Sequence, residues 1–334
     1  MPLALLLLVL AADLVPPQPD TPFSQPQIAS DGAVTGLVFG SKNTIFYAGI
    51  GSEPVVVAQT PNLSLGNHRG PRLAFTRDAI VVTAGIGPAN EQYGFNTLRS
   101  WRSLDRGKTW RPAADVSTPG TGGMGFQGIA SDGGTRVWAA WIGPSNGHPT
   151  LFVSRSYDSG ATWVKQRVLS ETVCECCHPT VALAADGSVH VLFRNNLNGN
   201  RDFYLASSKD GSDFRIAKLG TGNWAINACP MDGGGMAERK GAIVTIWRRE
   251  NQLYLARPDG KPEEPFAAGR NASIALRDSG MYAVWSAPEG IMVATPGKPA
   301  RPLSKTGAFP VIAPSGPLIV AWEDGGKIRT EHLD

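Results

Sequence analysis

Short apolar runs recur along the chain, separated by turns rich in glycine, proline and aspartate. Seven of these runs are rich in valine, isoleucine or tryptophan, and most end on an aromatic residue: Val34–Phe39, Ile80–Ala84, Val137–Trp141, Val189–Phe193, Ile243–Trp247, Tyr282–Trp285 and Leu318–Trp322. Runs of this length and composition predict β-strands, and long helical apolar patterns are missing from the sequence. The recurring aromatic residue fits packing between adjacent sheets.

Each of these strands belongs to a longer repeat, in which a short strand and a tight turn come first and further strands follow. The copies begin at Ile28, Leu73, Ile129 and Val181, with weaker ones near Met236, Ile274 and Val311. Seven units of about 45 residues predict an all-β fold, a β-propeller. The last unit lacks a fourth strand, and we expect an N-terminal segment to complete it and close the ring.

A shorter motif, S-x-D-x-G-x-T-W, occurs twice, 53 residues apart. Its members are Ser103, Asp105, Gly107 and Trp110 in the first copy, and Ser156, Asp158, Gly160 and Trp163 in the second. A shorter copy covers Ser208–Phe214, and Asp259-Gly260 is a candidate remnant of a fourth. The aspartate can accept backbone N–H groups of its own turn, and the glycine permits a positive φ. The motif therefore predicts a compact structural turn.

This motif resembles the Asp box, or BNR repeat, of the sialidase superfamily, and the chain is identified as a member by it. The resemblance implies a sialidase-like propeller; sialidases have six blades, so six or seven four-stranded blades are expected here. It also implies an arginine triad, a Tyr–Glu nucleophile pair and an aspartate acid. The sequence departs from that catalytic pattern. Arg69-Gly-Pro-Arg72 is a poor match to the F/Y-R-I-P segment, and Tyr204 and Tyr282 lie within strands.

Propeller topology predicts which loops share a face. With strands A to D along each blade, the A–B and C–D turns lie on one face, while the B–C loops and the crossings between blades lie on the other. The Asp boxes are C–D turns. The long and chemically unusual loops are all B–C loops or crossings, so a functional site is expected on the face opposite the Asp boxes.

Two neighbouring crossings carry all four cysteines: Cys174, Cys176 and Cys177 with His178, then Cys229 with Met231. In an exported protein an even cysteine count favours disulfide bonds. The same thiols with His178 and Met231 also suit Cu(I) or zinc. C-x-x-C-H is formally a haem attachment motif with Met231 as a conceivable axial ligand, but the extra cysteines disfavour it.

Arginines and carboxylates are concentrated on the same predicted face. The candidate ligand-binding residues are Arg69, Arg72, Arg194, Arg201, Arg248 and Arg249, and the candidate catalytic carboxylates are Asp202, Asp232 and Glu250, with Glu323 nearby. Clustered guanidinium groups recognise carboxylate ligands through paired hydrogen bonds. The alternative is that these residues form ion pairs that brace neighbouring blades.

Composition and charge narrow the classes of partner and compartment. The net charge is +3 with 18% charged residues and no long basic run, which argues against nucleic acid. Residues 1–15 are predicted to be a signal peptide, with Val9 and Ala11 suited to the −3 and −1 positions, although its n-region has no lysine or arginine. Residues 16–26 form a Pro-rich linker, and 27–334 a single propeller domain. The expected location is secreted or periplasmic, without an integral membrane segment in the mature chain.

Three functional hypotheses remain open on the sequence alone. The favoured one is a propeller that binds a carbohydrate, an acidic small ligand or a protein partner on the face with the cysteine and arginine loops. The second is a glycoside hydrolase of exo-sialidase type with altered catalytic residues. The third is a metal or redox site built on the cysteines. No cofactor is assured, and fold alone does not decide among them.

Overall fold

A computed structural model describes residues 22–87, 97–123 and 125–333, together with the backbone of Ala12–Asp13. Its strands form seven four-stranded antiparallel sheets. Blades 1 to 4 contain β2 (Ser24–Ser30), β3 (Thr35–Ser41), β4 (Thr44–Gly49) and β5 (Val55–Gln59); β6 (Arg72–Phe75), β7 (Ile80–Ile86), β8 (Thr97–Ser103) and β9 (Arg111–Pro112); β10 (Gln127–Ser131), β11 (Val137–Ser145), β12 (His148–Ser156) and β13 (Arg167–Ser170); and β14 (Thr180–Leu183), β15 (Val189–Arg194), β16 (Phe203–Ser208) and β17 (Arg215–Lys218). Blades 5 to 7 contain β18 (Gly235–Arg239), β19 (Ala242–Arg249), β20 (Gln252–Ala256) and β21 (Glu264–Ala268); β22 (Arg270–Arg277), β23 (Gly280–Ala287), β24 (Gly290–Ala294) and β25 (Arg301–Ser304); and β26 (Ala308–Ile312), β27 (Ile319–Asp324) and β28 (Lys327–His332), completed by β1 (Ala12–Asp13).

The seven blades form a closed ring, which confirms the predicted propeller and the count of seven. The innermost strands of successive blades contact one another, and β2 of blade 1 contacts β26 of blade 7. Strand β1 pairs antiparallel with β28, with Ala12 opposite Thr330, so an N-terminal strand supplies the missing strand of the last blade as predicted. A backbone hydrogen bond of 2.8 Å from Phe23 N to Gly326 O adds to this closure.

Apolar side chains of neighbouring sheets make up the core. One cluster joins Val38 and Tyr47 of blade 1 to Val82 and Trp101 of blade 2, and comparable clusters lie between the later blades. All of β3 and β7 is buried, because the second strand of each blade is covered by sheets on both faces. The apolar runs in the sequence are therefore these strands, and burial of their side chains drives the stacking of blades.

The two Asp boxes fold as the sequence predicts. Asp105 Oδ1 accepts a hydrogen bond from Thr109 N at 2.9 Å, and Ser103 Oγ accepts one from Gly107 N at 2.7 Å. Asp158 and Ser156 make the equivalent bonds, at 2.9 and 2.8 Å, to Thr162 N and Gly160 N. Hydrogen bonds from Thr109 and Ser103 hold the pKa of Asp105 at about 2. These are scaffold turns on the face away from the long crossings.

The N-terminal predictions fall largely outside the described residues. Residues 1–11 and 14–21 hold most of the predicted signal peptide and linker, whereas β1 lies within the 1–15 segment. Cleavage after Ala11 would leave β1 on the mature chain. In the described part of the chain, no helix is long and apolar enough to cross a bilayer.

Candidate functional site

Four long crossings cover one side of the face opposite the Asp boxes. They comprise residues 60–71, 113–126, 171–179 and 219–234, and lead into blades 2 to 5. The crossings into blades 6 and 7 are short, namely Gly269 alone and residues 305–307. The long crossings can therefore extend over the centre of the ring, because the short crossings into blades 6 and 7 do not occupy that space.

His68, from the crossing into blade 2, lies at the centre of this face. Its ring stacks on that of His178 with centroids 4.7 Å apart, and meets Phe309 edge to face at 4.9 Å. Its Nε2 lies 2.7 Å from Asn271 Oδ1, a separation of 203 residues along the chain. One imidazole thus contacts residues of blades 4, 6 and 7 at the mouth of the central channel.

We call His68 and the residues that it contacts, His178, Asn271 and Phe309, the hub. A cavity of about 120 Å³ lies around them, and we call it the hub cavity. Its lining side chains include Gln25, Gln27, His68, His178, Thr180, Asn271 and Phe309, with Gly233–Gly235 supplying backbone. The described lining contains amide, imidazole, hydroxyl and aromatic groups and no carboxylate. Polar groups from several blades therefore converge on one partly open cavity.

Four residues that line the hub cavity have left-handed backbone. Gln25, His68, Asn271 and Phe309 have φ of 57°, 65°, 55° and 50°, and the pairing of β2, β22 and β26 shifts register at Gln25, Asn271 and Phe309. Such conformations cost free energy in residues other than glycine, and they cluster at binding sites. Sequence analysis missed this site. A sequence sign of it is that two inner strands, β2 and β26, carry a proline directly after the left-handed residue, in Gln25-Pro26 and Phe309-Pro310.

Arg72 holds the His68 crossing in place. Its guanidinium donates to His68 O at 2.5 Å, to Gly70 O at 3.3 Å and to Gln127 O at 3.0 Å. The side chain is buried, and this burial lowers its pKa to about 10. Arg72 was predicted to bind a ligand carboxylate. In the structure its guanidinium N–H groups donate to backbone carbonyl oxygens instead.

Both hub histidines are held neutral. Burial lowers the pKa of His68 to about 4, against which the hydrogen bond to Asn271 acts weakly. Burial, then the charges of His68 and Arg72, lower the pKa of His178 well below its ordinary value. The cavity therefore presents uncharged imidazoles over the whole range from weakly acidic to neutral pH.

Stability should fall on mild acidification because of these histidines. In the unfolded chain histidine takes up a proton near pH 6.5, whereas His68 stays neutral in the fold down to about pH 4, so the unfolded state binds more protons in this window. Between pH 7 and pH 5, His68 alone should remove on the order of 2 kcal/mol from the free energy of unfolding. Urea unfolding at the two pH values measures this loss. His68→Gln should reduce this pH-dependent loss of stability, whereas substitution of the exposed His332, His332→Gln, should leave it unchanged. An equal loss between pH 7 and pH 5 in the two variants would contradict the role of His68.

The cysteines of the crossing into blade 4 form a buried cluster. Cys174 Sγ lies 3.5 Å from the Sγ atoms of both Cys176 and Cys177, and Cys176 lies 4.0 Å from Cys177. These distances exceed the ~2.05 Å of a disulfide bond, and all four cysteines are free thiols. The predicted disulfides are therefore not found in the structure. Cys229 is exposed at the edge of the cluster, with its Sγ 3.5 Å from Glu175 Oε1. Met231 packs against the three clustered cysteines.

The three buried thiols differ in their electrostatics. Hydrogen bonds with Cys176 and Cys177, and the charge of Arg201, hold the pKa of Cys174 far below its ordinary value. Arg201 Nη1 lies 2.9 Å from Cys174 Sγ. Hydrogen bonding to Cys174, then burial, raises the pKa of Cys176, and burial chiefly raises that of Cys177. Among the three sulfurs, the surroundings thus favour the thiolate form most at Cys174, which lies beside the Arg201 guanidinium.

Arg194, Asp232 and Arg248 form a buried brace between blades 4 and 5. Asp232 Oδ1 lies 3.2 Å from Arg194 Nη2, and Oδ2 lies 2.7 Å from Arg248 Nε. Arg194 also donates to the backbone oxygens of Arg201 and Arg248, and its guanidinium lies 4.2 Å from the ring centroid of Phe203. Since Arg194 and Asp232 are both 1% exposed, their interactions are structural.

Most of the remaining predicted site residues also have partners within the protein. Asp202 pairs with Lys218 at 2.9 Å and accepts from Trp224 N, and Arg249 pairs with Glu263. The Arg69 guanidinium lies 5.2 Å from the ring centroid of Phe126, and Glu323 accepts a hydrogen bond from Gln25 N at 2.9 Å. Glu250 is exposed at the turn after β19. The brace interpretation of the arginines therefore describes the structure better than a shared carboxylate clamp.

A wider recess of about 390 Å³ lies beside the cysteine crossing. It is lined mainly by the β11–β12 hairpin, including Ile142, Pro144 and Pro149, and by Glu175. Glu175 Oε2 also lies 3.5 Å from Arg201, so one side chain joins this apolar recess to the cysteine cluster.

Comparison with known proteins agrees with this architecture. A family model described as a BNR repeat-like domain matches residues 51–233, more than half of the chain. No curated protein matches the sequence.

Several solved structures that are similar in fold carry names of carbohydrate-active enzymes. A Hadza microbial sialidase has a TM-score of 0.55 and 17% identity, covering 90% of this chain and 74% of its own. A Penicillium chrysogenum α-L-arabinanase complexed with arabinobiose has a TM-score of 0.53 and 12% identity, covering 96% and 97%. An ulvan lyase bound to a glucuronate–rhamnose sulfate saccharide has a TM-score of 0.57 and 10% identity, covering 94% of each chain. At these identities the likeness shows a shared sialidase-like propeller fold.

Proposed function

Since this chain belongs to the BNR repeat-like family, we propose that it is a carbohydrate-binding propeller whose ligand enters the hub cavity. The observation that carries the proposal is the convergence of uncharged polar groups from several blades on that cavity. The proposal is supported by the family and the fold, because three solved structures with this fold are a sialidase, an arabinanase and an ulvan lyase.

The chemistry of the cavity suits a neutral sugar. Side-chain amides of Gln25, Gln27 and Asn271 can donate to and accept from sugar hydroxyls, and Thr180 adds a hydroxyl. The Phe309 ring offers an apolar face at the same cavity. An acidic sugar would need an available cation in the cavity. Arg72, Arg194, Arg248 and Arg249 are bound to protein groups, and the exposed Arg270, whose charge acts on His68, does not line the cavity. A neutral saccharide therefore fits better than the acidic ligand considered from the sequence.

Binding without hydrolysis is the better-supported role. Glycoside hydrolysis ordinarily uses two carboxyl groups beside the scissile bond. The described lining of the hub cavity has none, while Asp202 and Asp232 are held in ion pairs away from solvent. An exo-sialidase role with altered catalytic residues is the alternative that the following test rejects or supports.

Gln27→Ala should weaken binding of a neutral oligosaccharide about 10-fold, because one amide that donates and accepts is lost. Gln27 is half-buried on β2 and lines the cavity, so its removal should leave folding intact. Calorimetric titration with arabinobiose and a panel of neutral oligosaccharides measures the change. Sialyllactose and uronate oligosaccharides serve as acidic comparators, and chromatography of the recovered sugar detects cleavage.

The matched control is Gln59→Ala, an exposed glutamine at the end of the outer strand β5. It should bind as the unmodified protein does. Sugar cleavage, binding of acidic sugars only, or equal loss in both variants would each overturn the proposal.

Export to the periplasm or the cell exterior is part of the same proposal. It rests on the apolar run of residues 1–12 and agrees with a glycan ligand outside the cytoplasm.

A further inference from the structure

The three clustered thiols have the spacing of a metal-ligand set. Their Sγ atoms lie within 4.8 Å of one another, and all three residues are buried. The point in their plane equidistant from the three sulfurs is about 2.1 Å from each, close to the ~2.3 Å of a zinc–thiolate bond. A first-row metal ion therefore fits in or just above this plane without rearrangement of the crossing.

A charged donor outside the cluster supports thiolate ligation. Arg201 donates to Cys174 Sγ at 2.9 Å and is itself held by Ile226 O at 3.3 Å and Glu175 Oε2 at 3.5 Å. Groups of this kind orient metal ligands and stabilise their charge. Three clustered thiols beside a buried guanidinium are a poor apolar core, because each sulfur could be replaced by a better-packed apolar group. A ligand role gives their arrangement a physical purpose.

The ligand count discriminates between metals. A closed structural zinc site takes four ligands in a tetrahedron. Among the described residues, no histidine, carboxylate or fourth cysteine joins the three thiols within the same 4.8 Å limit. Soft thiolate and thioether ligands select Cu(I), and Met231 packs against the cluster as a neighbouring thioether.

We propose that Cys174, Cys176 and Cys177 form a three-thiolate site for Cu(I). Each thiol that ligates as thiolate releases its proton to solvent, with no change in oxidation state of sulfur or copper. Arg201 is a positioning residue that acts through Cys174. The site lies in the crossing that ends at His178, so a bound ion would also stiffen one wall of the hub cavity.

The experiment is titration of the reduced full chain with Cu(I) under anaerobic conditions, in competition with a chromogenic Cu(I) chelator. We expect one equivalent to bind, with near-ultraviolet thiolate-to-copper absorption and a raised Tm. Each of Cys174→Ser, Cys176→Ser and Cys177→Ser should weaken binding by at least about 100-fold. Arg201→Met should weaken it about 10- to 100-fold.

Cys229→Ser is the matched control. This exposed cysteine lies outside the three-thiol set, and the serine hydroxyl can keep its hydrogen bond to Cys176, so Cu(I) affinity should change less than about 3-fold. Circular dichroism checks that each variant is folded. Parallel titration with Zn²⁺ should show weaker binding. Absence of Cu(I) binding, a preference for Zn²⁺, equal loss in Cys229→Ser, or recovery of the cluster as a disulfide in exported protein would each overturn the proposal.

Discussion

Asp232→Ala should destabilise the fold by about 3–5 kcal/mol, because it leaves the buried guanidinium of Arg194 without its carboxylate. The same change removes the partner of Arg248 and so releases the brace between blades 4 and 5. The measurement is the free energy of unfolding from equilibrium denaturation in urea. Asp232→Asn keeps the shape of the side chain and loses its charge. Its free energy of unfolding should lie between those of the unmodified protein and Asp232→Ala.

The control for this prediction is Asp278→Ala. Asp278 also bridges two cations, Arg239 at 2.8 Å and Lys240 at 2.7 Å, but its side chain is 70% exposed. Exposed ion pairs contribute little because water solvates and screens them. Its unfolding curve should nearly coincide with that of the unmodified protein. A similar effect of the two substitutions would show that burial does not set the strength of the brace.

Trp141→Ala should cost about 3–5 kcal/mol and lower Tm by about 4–7 °C, because it empties a fully buried site in blade 3. Trp141 stacks on Phe152 with centroids 5.7 Å apart, and its Nε1 donates to Thr121 O at 2.8 Å. The substitution thus removes core volume and the hydrogen bond that holds the crossing into blade 3. Calorimetric melting measures the loss.

Two further variants separate these contributions. Trp141→Phe keeps an aromatic ring against Phe152 and loses the hydrogen bond, so it should cost clearly less than the alanine variant. Tyr157→Ala removes a 53% exposed ring near an Asp box and should change Tm little. If Tyr157→Ala were as harmful as Trp141→Ala, burial in the blade interfaces would not be the main source of stability.

The scaffold could be predicted because its determinants are local. The hydrogen bonds of each Asp box lie within eight residues, and the second strand of each blade can be recognised by its apolar composition. The strand predicted at Ile80–Ala84 is observed at Ile80–Ile86, and that at Val189–Phe193 at Val189–Arg194. The neighbourhood of the cysteines was equally foreseeable, since three of the four share one short loop.

The roles of the polar residues could not be predicted in the same way. The sequence places arginines and carboxylates on one face, but it does not say whether they point at a ligand or at each other. That choice depends on contacts such as Arg194 with Asp232, 38 residues apart, and on the burial that makes an unpaired charge costly. Cysteine pairing is undetermined for the same reason, because it depends on distances between sulfur atoms.

The sequence by itself determined a sialidase-like propeller of six or seven blades, the face that carries its long crossings and the loop that carries its thiols; the structure fixed the number at seven. Only the tertiary structure decided that His68 occupies the hub, that the arginines are braces and that three thiols meet around one point. The physical reason is range. Strand and turn formation depend on neighbours along the chain, whereas the hub joins His68 to Asn271 across 203 residues, which only closure of the ring brings together.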